Sequence, residues 1–306
     1  MLLRLNGKLK TKRQPIIGVA LSGGGLRGAA HIGVLSVLTK AGIPIDMIAG
    51  TSAGSIVAAF YASGYSVGQM MKIAMTINPS DLIDLQVTVS DLVKHGVKWL
   101  FNGKFRFWSV LPAGIIKGDR IESYLTQYLH ERTFRDTKIP LAITAVDIQS
   151  ADTVFFLTPS PGNRAILNAR YYHNTPIVEA IRASISIPGI FFPKHYRGMT
   201  LVDGAVKNNL PTDILRHMGC DVIIAVDLGY DGEPASSVKT VGEILMQCIE
   251  IMGREVTLLK GIYHADTVIR PAVYELNMKQ SNYIQQAIGR GEEAAKEKLS
   301  EIKRLL

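Results

Sequence analysis

A glycine-bracketed serine between two apolar runs constrains this chain most tightly. Gly50-Thr51-Ser52-Ala53-Gly54 follows Ile43-Pro44-Ile45-Asp46-Met47-Ile48-Ala49 and opens Ser55-Ile56-Val57-Ala58-Ala59-Phe60. That order reads as strand, tight turn, helix. Such a sharp turn tolerates only small residues beside the serine, and it holds the hydroxyl proud of the sheet, as in a nucleophile elbow. A helix starting at the serine brings unpaired N–H groups and a dipole that favour negative charge nearby. Glycine-punctuated strand–helix turns with an idle serine share this spacing, so the rest of the chain must decide.

Upstream, Pro15-Ile16-Ile17-Gly18-Val19-Ala20-Leu21-Ser22 suits a buried strand. Gly23-Gly24-Gly25-Leu26-Arg27-Gly28 follows, then a helix from Ala29 to Ala41 with Ile32, Leu35 and Leu38 at helical spacing and a stop at Gly42. Strand, glycine loop, helix, strand, elbow, helix is the right-handed opening of a parallel sheet. Gly23-x-Gly25-x-x-Gly28 also fits a dinucleotide fingerprint, which wants an acidic residue closing the second strand. Asp46 precedes most of that strand, and Gly50-Thr51-Ser52 occupies its end. Three successive glycines suit a different role, because their N–H groups can converge on an oxyanion beside the serine.

With 306 residues and 47% hydrophobic content the chain can bury a large core. No apolar run reaches the ~18–20 residues of a membrane-spanning helix, and Met1–Lys8 lacks the pattern of a secretory leader. The cysteines, Cys220 and Cys248, have no metal or redox spacing and read as thiols of a reducing compartment. Net charge is +8, with Arg4, Lys8, Lys10, Lys12 and Arg13 in a basic arm over 1–15. Such an arm suits anionic lipid or simple solvation; with no nucleic-acid-binding motif beside it, nucleic acid is not expected as a partner. Between Val93 and Val110, Trp99, Phe101, Phe105, Phe107 and Trp108 alternate with Lys94, Lys98, Lys104 and Arg106. That mixture reads either as a lid-like insertion, about 80–115, that meets a membrane interface, or as a subsidiary core.

Helices are expected over Gln69–Thr76 and Gly118–His130, and consecutive strands over Ile139–Ile148 and Thr153–Leu157. Thr175-Pro176-Ile177 reads as a threonine-capped helix start with Glu179 in its first turn. Thr200–Ala205 reads as a strand ending in the Asp203 carboxylate and a turn, and Asp221–Leu228 as another central strand. A long helix over Val241–Ile262, a short strand over Thr267–Arg270 and an exposed, charged helix from Tyr283 complete the chain.

The glycine loop Gly23–Gly28, the elbow Gly50–Gly54, the Asp203-Gly204-Ala205 turn and Ala183-Ser184-x-Ser186-x-Pro188-x-x-Phe191-x-Pro193 stand in one order. Together they resemble the patatin-like phospholipases, a family of serine acyl hydrolases, and in character the short, soluble bacterial members. Residues 16 to 228 carry the resemblance; 85–115 and the tail after 230 do not. The lid-like insertion and a helical part over 231–306 packed on the same domain are expectations from the residues alone. The resemblance implies a three-layer α/β/α fold with a mostly parallel central sheet and a catalytic domain over 16–230. It implies Ser52 as nucleophile, Asp203 as the base that takes its proton, and an oxyanion hole from the Gly24 and Gly25 amides. A carboxylate ionised at neutral pH is a feeble base, so oxyanion stabilisation must carry much of the rate; one such donor is worth about 2.7–4 kcal/mol. Gly204 is expected to let the chain turn immediately after the base.

The expected substrate is a lipid or other fatty-acyl ester, with no cofactor and no metal, in a cytoplasmic protein that touches anionic membranes peripherally. Arg27 is open between a solvated charge, a brace for the glycine loop and a contact to lipid phosphate. His31 reads as packed or exposed rather than catalytic, and Asp227 as a loop cap. Three alternatives remain: a Ser–Asp–His triad using His217 or His264, a non-catalytic lipid-binding protein of the same fold, and nucleotide binding at Gly23–Gly28.

Overall fold

Strands buried on both faces need near-continuous apolar runs, and this chain has several. A computed structural model describes residues 14–85, 113–160, 165–229, 238–276 and 280–306. The basic arm but for its last two residues, the aromatic–basic run over 93–110, and most of the lid-like insertion lie outside the described residues.

The first half of the chain forms β1 (Ile17–Leu21), α1 (Ala29–Lys40), β2 (Met47–Thr51), α2 (Ala53–Ala62), α3 (Val67–Thr76) and α4 (Asp119–Leu129). Then come β3 (Leu141–Asp147), β4 (Thr153–Leu157), β5 (Ala169–Tyr172), α5 (Ile177–Ser184), β6 (Lys194–Tyr196) and β7 (Met199–Asp203). The last part holds α6 (Ala205–Asn208), α7 (Thr212–Met218), β8 (Val222–Val226), α8 (Val241–Val256), β9 (Thr267–Ile269) and α9 (Tyr283–Leu305). The sheet order is β5-β4-β3-β2-β1-β8-β9, with β7 pairing to β3 and β6 to β7. Strands β3, β2, β1, β8 and β9 run parallel; β4 and β7 are antiparallel to β3.

Alternate residues of each central strand feed two cores. Ile17, Val19, Leu21, Ile48 and Ile143 face one core with α1, α2 and α9. Ala20, Ala49, Ala142 and Ile223 face the other, filled by Ile214 and Leu215 of α7. This is the three-layer α/β/α arrangement expected from sequence. The isoleucine, leucine and valine side chains that fill it each stabilise the fold by about 1.5–3 kcal/mol on burial.

Two expectations need correction. The helix from Tyr283 is only half exposed: Tyr283, Ala287, Ile288, Gly291, Ala295 and Ile302 form a buried stripe. A Cβ on Gly33 would lie 2.0 Å from the Ile288 carbonyl oxygen, and one on Gly291 2.0 Å from that of Ala30, so two glycines let α1 and α9 touch backbone to backbone. At the start of α5, Pro176 rather than Thr175 takes the cap position, and no side chain caps it. The Thr175 hydroxyl pairs with the Tyr196 hydroxyl at 2.6 Å instead, because it is buried where a ring oxygen reaches it. Strands β5 and β6 carry too few apolar residues in a row to stand out in sequence. No helix among the described residues is long and apolar enough to cross a membrane.

Candidate active site

The register on β3 brings together residues far apart in sequence. β2 ends with Thr51 opposite Thr144; β7, arriving from the other direction, ends with Asp203 opposite the next residue, Ala145. The two strands therefore meet head to head along one edge of β3, and Ser52 and Asp203 face each other where they meet.

Ser52 adopts φ 52° and ψ −126°, a left-handed conformation that L residues reach at a cost of about 1–3 kcal/mol. The turn fits only because its flanks are bare. A Cβ on Gly50 would lie 2.3 Å from the Gly54 carbonyl oxygen, and one on Gly54 2.4 Å from that of Leu21. The Ser52 N–H donates to Ser184 Oγ at 2.8 Å, and Ser184 donates to the Thr144 carbonyl at 2.7 Å. Two residues on, the Ser186 carbonyl accepts from the Asp203 N–H at 2.9 Å. The Ser184-x-Ser186 segment thus grips both ends of the candidate pair. Arg182, buried, donates to Ser186 Oγ at 2.7 Å and to the Phe192 carbonyl at 2.9 Å, fixing that segment in turn.

Asp203 is 3% exposed. Its Oδ1 accepts from the Ala205 N–H at 2.8 Å, so it also serves as the turn-capping aspartate that its sequence allows. Burial pushes its carboxyl up to about 7, against opposing hydrogen bonds from the Ala205 N–H and the Ser52 hydroxyl. The sequence expectation is a carboxylate fully ionised at neutral pH; burial instead makes this carboxyl hold its proton more tightly. The expected role of Gly204 is corrected too. Its backbone is ordinary right-handed helix, φ −58°, which any residue adopts. Glycine is needed there for space, since a Cβ would sit 2.4 Å from the Thr144 carbonyl oxygen and 2.9 Å from Thr51 Cγ2.

The glycine loop reaches the same place from the end of β1. The Gly23 N–H is held by Asn209, at 3.0 Å to Oδ1 and 3.3 Å to its carbonyl. Among the described residues, none accepts a hydrogen bond from Gly24 N–H or Gly25 N–H. Gly25 has φ 56° and opens a short 3-10 turn, Gly25–Gly28, whose last residue packs against Ala53. Arg27 resolves its three readings as a brace. Its Nε donates to the Gly24 carbonyl at 3.2 Å, its Nη2 to Glu250 at 3.1 Å, and its guanidinium lies 3.8 Å from the centre of the Tyr274 ring.

Ser52, Asp203, Gly23–Gly25, Arg27 and Ala205 line one cavity of about 280 Å³. Its far wall is α8, through Met246, Ile249, Glu250, Gly253 and Arg254. The sequence placed a cover over 80–115 and assigned α8 no part in the site. Nor did Ser184, Asn209, Glu250 or Tyr274 stand out. Only Ser184 had a signal, its place in the Ala183–Pro193 block.

The competing residues lie elsewhere. None of the described histidines lines this cavity. His217 stacks on Tyr171 with ring centres 4.9 Å apart, and His264 sits edge-on to Tyr263. His31 is fully buried, with Nε2 2.8 Å from the Ser22 carbonyl oxygen, and burial lowers its pKa to about 4, so it packs as a neutral ring. Asp227 accepts from the Gly229 N–H at 3.0 Å and pairs with Arg270, a loop cap as expected. Asp46, the acid a dinucleotide site would need, accepts from the Ile17 N–H at 2.8 Å, at the opposite end of β1 from the glycine loop. No group of three or more metal-binding side chains occurs among the described residues.

Comparison with known proteins agrees with this architecture. A 28% identical stretch of 221 residues, 70% of this chain, matches a patatin-like phospholipase domain-containing protein of Caenorhabditis elegans. Lysophospholipase NTE1 of Candida glabrata is 32% identical over 220 residues, again 70% of the chain. These matches span only 14% and 10% of the relatives' own lengths. The fold is similar to that of VipD from Legionella pneumophila, with a TM-score of 0.53 at 13% identity, over 94% of this chain and 67% of that one. The family model for patatin-like phospholipase matches residues 19–216, the stretch that carries the loop, the elbow and Asp203. The chain belongs to the patatin-like phospholipase family.

Proposed function

We propose that this chain hydrolyses fatty-acyl esters of phospholipids or lysophospholipids through an acyl-Ser52 intermediate. The observation that carries the reading is the Ser52–Asp203 pair, with a carboxyl raised to about 7 by burial. Asp203 takes the Ser52 proton as Oγ attacks the ester carbonyl carbon. The tetrahedral oxyanion is received by the N–H groups of Gly24 and Gly25, with Arg27 holding the loop from behind. Collapse breaks the ester C–O bond; the proton on Asp203 leaves with the alcohol. Water then attacks the acyl-serine, gives its proton to Asp203, and the fatty acid departs as Ser52 recovers the proton. A base with a pKa near the working pH serves both halves, accepting and returning one proton. The pair lacks a histidine between hydroxyl and carboxylate, so orientation falls to the Ser184 and Ser186 contacts. The excess of positive charge supports peripheral contact with an anionic bilayer from the aqueous side.

The test combines labelling with turnover. A fluorophosphonate should modify wild type at Ser52 and leave Ser52→Ala unmodified. On a panel of lysophospholipid and phospholipid esters, Ser52→Ala and Asp203→Asn should each lose turnover by about a thousandfold or more while staying folded. Wild type that resists the probe, or an Asp203→Asn variant with near-normal turnover, would overturn the dyad. The former result would favour a non-catalytic lipid-binding protein.

A further inference from the structure

A second cavity adjoins the catalytic one. It has a volume of about 210 Å³ and lies between the 3-10 turn, α2, α3 and α4. Gly25 and Leu26 line both cavities, and Ala53, the residue after the candidate nucleophile, lines the second. The ridge between them is therefore Gly25 and Leu26, and Gly25 is one of the two residues whose N–H groups receive the oxyanion in the proposed reaction. The two differ in their polar groups. The first mixes apolar Ile187, Val206, Met246 and Ile249 with charged Arg27, Glu250 and Arg254. The second is walled by Leu26, Ile56, Phe60, Met70 and Ile73, and its described side chains carry one oxygen, the Tyr124 hydroxyl, which hydrogen-bonds Tyr128.

Resting on the hydrolase reading above, we infer that this second cavity is the acyl-chain site. A substrate carbonyl at Gly24 and Gly25 presents two groups in opposite directions. A polar head group entering the apolar cavity would lose water without gaining a partner. An alkyl chain gains about 0.8 kcal/mol for each methylene buried, which is about fourfold in kcat/KM. The chain therefore runs over the Leu26 ridge, along the face of α2 that begins at Ala53, and ends against α3 and α4. The head group stays beneath α8 among the charged side chains. Leu26, 42% exposed, is the apolar lip that the chain crosses. The cavity's depth then sets which acyl lengths are cleaved fastest.

Two measurements test this. The first follows kcat/KM for p-nitrophenyl esters from butanoate to dodecanoate. The second follows binding of the fluorescent fatty acid cis-parinarate in a Ser52→Ala background, where turnover plays no part. Wild type should gain about fourfold per methylene and then level off once the cavity is filled. Ala74→Phe from α3 and Ile121→Trp from α4 should each level off at a shorter chain, lower the dodecanoate-to-butanoate ratio by about tenfold or more, and weaken cis-parinarate binding by about as much. Two walls are altered so that one folded variant suffices. A folded variant with the wild-type ratio and wild-type binding overturns the assignment and leaves the hydrolase reading standing. Binding that Ala74→Phe abolishes, in a protein that cleaves no ester, upholds the cavity and overturns the hydrolase reading instead.

Discussion

Asp203 is where the local chemistry is decided, because one side chain caps a turn, meets the Ser52 hydroxyl and sits out of water. Its folded pKa of about 7 lies above the ordinary carboxyl value of 3.8. Between those values the folded chain keeps a proton that the unfolded chain has released. The group's favourable share in stability is thus full below about pH 4 and lost as pH rises through about 7. Two outcomes follow. First, kcat/KM should climb with pH through an apparent pKa near 7, and the limb should be read on a soluble ester to avoid substrate aggregation. Second, Asp203→Asn should be inactive yet more stable than wild type at pH 8, by at most about 4 kcal/mol, with the gap closing toward pH 5. Thermal melts at both pH values check the sign; a variant less stable at pH 8 would show that the carboxylate is solvated there.

Among the elements, α8 has the least obvious role in sequence and a prominent one in space. One face roofs the Ser52–Asp203 cavity; the other leaves Ile244, Leu245, Ile251 and Met252 exposed. Its start is secured by a capping box between Thr240 and Glu243. Its middle is tied to the glycine loop by Glu250, which receives Arg27 and the Tyr274 hydroxyl at 3.1 Å each. The Arg27–Glu250 pair is half sheltered from solvent, so cutting it should release about 1 kcal/mol, roughly a fivefold change. Glu250→Ala should speed amide exchange across 241–256 by that factor while β1 exchanges as before. Equal protection in both proteins would mean that the roof is held by its apolar contacts alone.

Across the full length of the chain, the far-apart helices α1 and α9 matter because α1 continues directly from the glycine loop. Their crossing at Gly33 and Gly291 leaves no room for a side chain on either. Gly291→Leu should force the helices apart and cost a few kcal/mol, read as a large fall in melting temperature. Activity should fall with it even below the melting point, since the loop at the head of α1 shifts. A well-folded Gly291→Leu protein with normal turnover would show that the loop is positioned by the sheet alone.

The parallel βα opening and the elbow were legible in the order of residues, because an apolar run or a glycine beside a serine can be read within a dozen residues. The partnering of Ser52 with Asp203 was expected only from the family resemblance, since an Asp-Gly turn by itself reads as a capped turn. The rest came from packing between distant segments. That the Asp203 carboxyl holds its proton more tightly than usual follows from the water excluded around it. That Gly204 is there for space follows from Thr144, sixty residues earlier on a neighbouring strand. That α8 walls the Ser52 cavity follows from packing of a stretch with no motif. Ser184 gained its role where β2 and β7 meet end to end on β3, and Asn209 and Glu250 gained theirs by reaching the glycine loop from distant segments. A chain can spell out its turns in short words; which distant atoms lose their water together is settled only when the sheet closes its register.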